Sequence, residues 1–158
     1  MDLERATPAE FGQSLRGVGL NLLCRDVRAM AAFAAEVLQM GVHRLSDDFA
    51  ILSHDSVLLQ LHADPTFRAH PLIDLLPENP PRGAGVQLYL FGADPDMACA
   101  RAGAMGPEAG GVVMEPPTDK PHGLREATIL SPEGYAFSPA RRLARAGPAS
   151  QSGSPDAS

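Results

Sequence analysis

The sequence predicts an α+β fold built from two similar halves, each a strand, a helix and then three antiparallel strands. Three observations predict it. An apolar strand runs into an Asp-capped, Ala-rich helix; three short strands with polar connections follow; and the same order returns about 68 residues later, matching Asp26 to Asp94. A long-period repeat outranks local pattern as a clue to fold. Each half alone would leave an apolar sheet face in water, so two sheets brought together bury those faces or curve around a cleft. The plain alternative is a chance similarity inside an unrelated α+β sandwich.

Residues 1 to about 16 read as a lead-in without a clean period, with Phe11 or Leu15 as a packing anchor. Gly17 to Cys24 reads as a strand. Asp26 suits an N-cap, because its carboxylate can accept the free N–H groups of a first turn. Val27, Met30, Ala31, Ala34, Val37 and Leu38 then recur at three- and four-residue steps, which predicts a helix from Asp26 to Gln39 that Gly41 breaks. Three strands follow: Val42 to Leu45, Phe49 to Ser53, and Ser56 to His62. Their short polar connections suit antiparallel hairpins.

Residues 63 to 83 hold Pro65, Pro71, Pro77, Pro80 and Pro81 and read as a linker, with a short helical turn at Pro71 to Leu76. Ala84 to Phe91 reads as the second opening strand, and Asp94 with Pro95 opens a helix that Gly106 ends. Strands are predicted at Gly111 to Glu115, Leu124 to Leu130 and Tyr135 to Ser138. Pro116 to Gly123 is expected to be a loop, and Pro132-Glu133-Gly134 a turn. The domain is expected to span residues 17–143, as modules 17–62 and 84–143 joined by the linker. The small, polar stretch 147–158 is expected to be disordered.

Composition narrows function. Of 158 residues, 44% are apolar and 20% charged, which is ordinary for a globular protein, and the net charge is -6. That charge repels polyanions, and the one compact basic run, Arg141, Arg142 and Arg145, lacks interleaved aromatics, so no nucleic-acid partner is expected. No stretch approaches the ~20 apolar residues of a membrane span, and the opening MDLERATPAEF, with early acids and no long apolar run, is not expected to act as a signal peptide. The two cysteines, Cys24 and Cys99, form no disulfide framework and fit a cytoplasmic location. The Gly-rich segments lack the Lys-Ser or Lys-Thr ending of a phosphate loop, and no nucleophile elbow is present.

Three segments carry a resemblance. GLNLLCRDVRAMAAFAAEVLQM resembles the opening strand and helix of the vicinal oxygen chelate superfamily, which includes glyoxalases, bleomycin-resistance proteins and extradiol dioxygenases. GVQLYLFGADPDMACARAGAMG resembles a second copy of that opening, and PPTDKPHGLREATILSPEGYAF resembles the closing strands of a second module. The likeness runs from Gly17 to Leu143 and is nearest to the small bleomycin-resistance-like proteins. It implies paired βαβββ modules forming a curved mixed sheet around a cleft, a homodimer, and a small organic ligand. Two departures stand out: Phe33-Ala34 where the family often has Phe-Tyr, and Leu38-Gln39 where it often has Leu-Gly.

Metal-using members of that superfamily take ligands from the opening and a later strand of each module. The matching positions here are Gly19 or Asn21, Gln60 or His62, Gln87, and Ser138 in place of the usual Glu. Neutral amides and a hydroxyl do not balance a divalent charge, so no intrinsic metal and no cofactor is expected. His62 alone faces suitably, on the strand face of Gln60, and otherwise reads as a strand-end histidine bonded to solvent.

The expected ligand-binding residues are Asn21, Gln60, His62, Gln87, Tyr89, Arg125 and Phe137. Gln60 with His62, and Gln87 with Tyr89, share faces by two-residue spacing, and that polar face either lines a ligand cleft or is simply solvated. Arg125 either grips an anionic ligand or makes a structural ion pair. Tyr135 and Phe137 either stack on an aromatic ligand or pack in the core. The function this favours is a small-molecule binding or sequestering protein. The alternatives are a metal-dependent lyase or dioxygenase that uses His62 and Gln87, and a degenerate module used for protein interaction.

Overall fold

The lead-in contains a helix that periodicity alone does not reveal. In the structure, a computed structural model describing residues 1–77 and 81–144, α1 spans Pro8–Ser14. Its signal is local: the Thr7 hydroxyl accepts from the Glu10 amide while the Glu10 carboxylate accepts from the Thr7 amide. This reciprocal capping box, with Pro8 in the first turn, fixes the start of a helix too short to show a face. Phe11 is its buried residue, so the anchor is Phe11 and not Leu15.

The first half then runs β1 (Leu20–Cys24), α2 (Val27–Glu36), β2 (Gly41–His43), β3 (Phe49–His54) and β4 (Val57–Ala63). Asp26 caps α2 by accepting from the Ala29 amide at 2.9 Å. The helix ends at Glu36, earlier than Gln39, because Gln39 itself takes the left-handed conformation (φ 57°) that a helix end requires. Its side-chain amide donates to the carbonyls of Ala35 and Glu36, satisfying groups the ended helix leaves open. Gly41 therefore begins β2 and does not stop the helix.

The second half repeats the plan: β5 (Gln87–Phe91), α3 (Pro95–Met105), a single turn α4 (Pro107–Gly110), β6 (Val112–Asp119), β7 (Leu124–Leu130) and β8 (Ala136–Arg142). Asp94 caps α3 through the amides of Asp96 and Met97. The strand orders are β1-β4-β3-β2 and β5-β8-β7-β6. In each sheet the opening strand pairs in parallel with the last, and the three strands after the helix are mutually antiparallel. The α+β class and the repeated strand-helix-three-strand order hold. They do so as two separate four-stranded mixed sheets, with the linker giving 3-10 turns at Asp64–Phe67 and Pro71–Leu75.

The expected loop from Pro116 to Gly123 is corrected: β6 continues through Pro116 and Pro117 to Asp119. Proline is tolerated there because β6 is an edge strand that pairs only with β7, and the register shifts between Val113 and Glu115 and between Glu115 and Thr118 take up the missing donors. The tail over 147–158, Arg145 of the basic run and Pro80 of the linker lie outside the described residues.

One core serves both halves. Leu22, Cys24, Leu52 and Leu61 of the first sheet and the apolar face of α2 pack with Leu90, Ile129 and Phe137 of the second sheet and Ala98 and Ala102 of α3. Phe33 meets Phe137 with ring centroids 5.9 Å apart. A polar clasp accompanies it. Buried Glu133, in the turn before β8, accepts from the amides of Arg25 and Asp26 at the start of α2, at 2.8 and 2.9 Å. Arg82 of the linker makes a two-pronged ion pair with Asp64, donates to the Leu23 carbonyl and lies 3.5 Å from Glu133. Tyr135 donates to the same Leu23 carbonyl, and its burial pushes the phenol up to about 12. Among the described residues, no helix is long and apolar enough to cross a membrane.

Candidate functional site

Alternation along the strands gives each sheet a second face, turned away from the shared core. On the second sheet that face carries Gln87 and Tyr89 of β5, Ser138 of β8, and Thr128 and Glu126 of β7. The Gln87 amide donates to the Ser138 hydroxyl at 2.8 Å, and Ser138 lies 3.2 Å from the Thr128 hydroxyl. Tyr89 donates to Glu126 at 3.4 Å, and His122 reaches the other oxygen of that carboxylate at 3.3 Å. Lys120 pairs with Glu115 at the rim. Desolvation, and then the neighbouring Glu126 carboxylate, hold the Tyr89 phenol above its ordinary range, so it is a protonated donor at neutral pH.

A cleft of about 500 Å³ lies where β5 approaches the β1–β4 side of the first sheet. Leu20, Val57 and Leu58 form one wall, and Gln87, Tyr89 and Phe91 form the other. The rings of Tyr89 and Phe91 are stacked, with centroids 5.2 Å apart and an 11° tilt. At one end the His54 ring, as the Nε2–H tautomer, donates to the Phe91 carbonyl at 2.9 Å and ties the β3–β4 turn to β5. Two larger hollows exist, one of about 650 Å³ near Gln60 and Gly17 and one of about 630 Å³ near Leu124 and Arg142. Of these three hollows among the described residues, the cleft at β5 joins apolar walls from both halves to directed polar groups, which is the pattern of ligand sites.

The structure divides the sequence-derived set. Gln87 and Tyr89 line the cleft. Asn21 and Gln60 are register partners on the first sheet, but Gln60 lines the hollows beside α1 and not the cleft. His62 is half-buried near the end of β4: its ring sits edge-on between Phe49 at 5.0 Å and Phe67 at 5.1 Å, and burial lowers its pKa. For two residues the structure gives the structural one of the two alternatives, in place of the ligand contact. The Arg125 guanidinium is held by Asp96 and Asp119 at 2.7 and 2.8 Å, which uses the fork an anion would need. Phe137 is fully buried against Phe33, because its place on β8 turns it into the core, so it offers no face to a ligand.

The positions that correspond to metal ligands do not fit a divalent ion. Asn21, Gln60, Gln87 and Ser138 supply neutral donors, and the Gln87–Ser138 hydrogen bond already joins two of them. Among the described residues no three His, Cys, Asp or Glu side chains come together in a metal-holding group. The pair invoked for the metal-dependent alternative is also separated: Gln87 is on the cleft, whereas His62 is flanked by Phe49 and Phe67 on the first sheet. Sequence reasoning missed Glu126, His122 and Phe91. A faint signal existed for Glu126, since alternation puts it opposite Arg125 and on the face of Thr128 and Leu124. Nothing local joins it to Tyr89, 37 residues earlier.

No protein-family profile matches the chain, and no curated protein does. Solved structures do. A glyoxalase/bleomycin resistance protein/dioxygenase family enzyme from Burkholderia phytofirmans PsJN superimposes with a TM-score of 0.65 at 21% identity, covering 79% of this chain and 97% of that one. A glyoxalase/bleomycin resistance protein/dioxygenase from Nocardioides gives 0.60 at 24% identity, covering 87% and 94%. A bleomycin resistance determinant encoded on transposon Tn5 gives 0.52 at 18% identity, covering 81% and 98%. The chain therefore has the fold of the glyoxalase and bleomycin-resistance proteins, in line with its resemblance to the vicinal oxygen chelate superfamily.

Proposed function

We propose that this glyoxalase-like chain binds or sequesters a small organic molecule, in the manner of bleomycin-resistance proteins, without a catalytic metal of its own. The observation that carries the reading is the cleft between the halves, with apolar walls and two directed polar side chains, Gln87 and Tyr89. Apolar ligand surface gains from leaving water, at about 25 cal/mol per Å² buried. Gln87 offers an amide and Tyr89 a neutral hydroxyl, so orientation comes from hydrogen bonds and not from charge. The stacked Tyr89–Phe91 pair adds an aromatic surface on which a flat ligand can lie.

The neutral donor set supports the non-metal part of the reading. A homodimer belongs to it as well, supported by apolar side chains left open on β5 and β6, Phe91 and Met114 among them. So does a cytoplasmic setting, supported by the two unpaired thiols Cys24 and Cys99. The test is a thermal-shift screen of aromatic and heteroaromatic compounds, followed by titration calorimetry on Tyr89→Ala and Gln87→Ala. Ligands that stabilise the wild type should lose roughly tenfold or more in affinity in each variant, since one directed hydrogen bond lost in a dry site costs about 1–3 kcal/mol. Calorimetry with zinc, nickel, manganese and iron(II) runs in parallel. Tight stoichiometric uptake of any of them would overturn the non-metal reading.

A further inference from the structure

The two halves repeat in their strands and differ in what lies over them. Among the described residues no helix lies over the face of the second sheet turned away from the core, whereas on the first sheet the chain's own N-terminal helix sits beside Phe49 and Gln60 of that face. On that helix Phe11 is 5% exposed, yet it stands apart from the core the two halves share. It borders a hollow of about 410 Å³ with Phe49, Gln60 and Arg44, whose guanidinium lies 5.8 Å from the centre of the Phe11 ring. Phe49 begins a row of rings on this sheet: Phe49, His62, Phe67 and His70 follow one another edge to face or tilted, each ring 5.0 to 5.2 Å from the next.

We infer that Phe11 is an internal occupant of an aromatic-ring subsite on the first sheet, which an aromatic ligand bearing a hydrogen-bonding group takes by displacing α1. Three features of the fold support it. The site suits a ring, with the Arg44 cation over it and Phe49 and Gln60 bordering the same hollow. The occupant is separable, because α1 carries its own capping box and joins the body through exposed Arg16, Gly17, Val18 and Gly19, with Gly17 at φ 74°. Its remaining tethers are light: Glu4 contacts His43 and the Arg44 amide, and the Arg44 side chain donates to the Leu3 carbonyl. A hollow of about 650 Å³ at the C-terminal end of α1, lined by Ser14, Leu15 and the connection from Arg16 to Gly19, also reaches Gln60, so space for a ligand extends past α1. This inference goes beyond the proposed cleft at β5 and stands or falls separately from it.

Self-occupancy sets the expected behaviour. A ligand whose site is filled most of the time binds with its affinity reduced by the open fraction. Indole serves as the probe, since its ring matches the site and its N–H can pair with the Gln60 carbonyl oxygen. Calorimetry on the full chain should show Phe11→Ala binding indole roughly tenfold or more tighter than wild type, with NMR shifts at the Gln60 side-chain amide and the Phe49 ring. A folded Phe11→Ala that binds indole no better than wild type overturns the inference. So do shifts confined to Gln87 and Tyr89, an outcome that leaves the cleft reading intact. Should Phe11→Ala not fold, hydrogen exchange on the wild type decides: saturating indole should speed exchange at residues 8–14, and unchanged or slowed exchange there overturns the inference.

Discussion

Two side chains whose roles are invisible in isolation govern the packing. Glu133 sits in a turn that reads as plain surface sequence, yet it is buried and accepts two amides from the start of α2 in the other half. Hydrogen bonds to a charged acceptor are worth about 1.5–3 kcal/mol, so Glu133→Ala should lower unfolding free energy by about 2 kcal/mol in urea titration. Glu133→Gln should recover part of it, because its carbonyl oxygen can still accept. His62 supplies a pH signature. Desolvation lowers its folded-state pKa below the ordinary 6.5, so the folded protein holds it neutral where the unfolded chain has already taken up a proton. The unfolded state then binds more protons, and stability falls as pH drops from 6.5 toward the folded value, levelling below it. His62→Phe, which keeps the ring ladder and removes the titration, should flatten that part of the pH–stability curve relative to wild type in chemical denaturation.

The informative elements are those that depart from simple period counting. α1 rests on the Thr7–Glu10 box and one buried ring. Thr7→Ala should cost about 1 kcal/mol locally, seen as faster amide exchange in α1 with the global unfolding midpoint nearly unchanged, because Phe11 lies outside the shared core. Gly111 behaves oppositely. It enters β6 at φ 76°, and a Cβ there would meet the Leu130 carbonyl oxygen at 2.3 Å. Gly111→Ala therefore combines left-handed strain with a backbone clash. It should destabilise by more than about 2 kcal/mol, measured by thermal melting. The two Pro residues inside β6 teach a related lesson: proline argues against a central strand, not against an edge strand with shifted register.

At the scale of the molecule, the two halves are bound by a core that neither could build alone. Phe137→Ala removes a fully buried ring that meets Phe33 of the other half, and should cost about 3–5 kcal/mol with a single unfolding transition by calorimetry. Two separated transitions would mean that the halves fold independently. The sequence by itself determined the order of elements and its repetition, because amphipathic period, Asp capping and Pro/Gly punctuation act within a few residues of one another. It also placed Gln87 and Tyr89 on one face, since alternation needs only a strand. What only the tertiary structure decided is which distant residues meet: Glu126 under Tyr89, Phe137 inside the core, Arg125 closed by Asp96 and Asp119, and α1 laid over Gln60. Those outcomes depend on strand register and on the docking of segments far apart in the chain. Burial and desolvation set them there, and no local pattern encodes either.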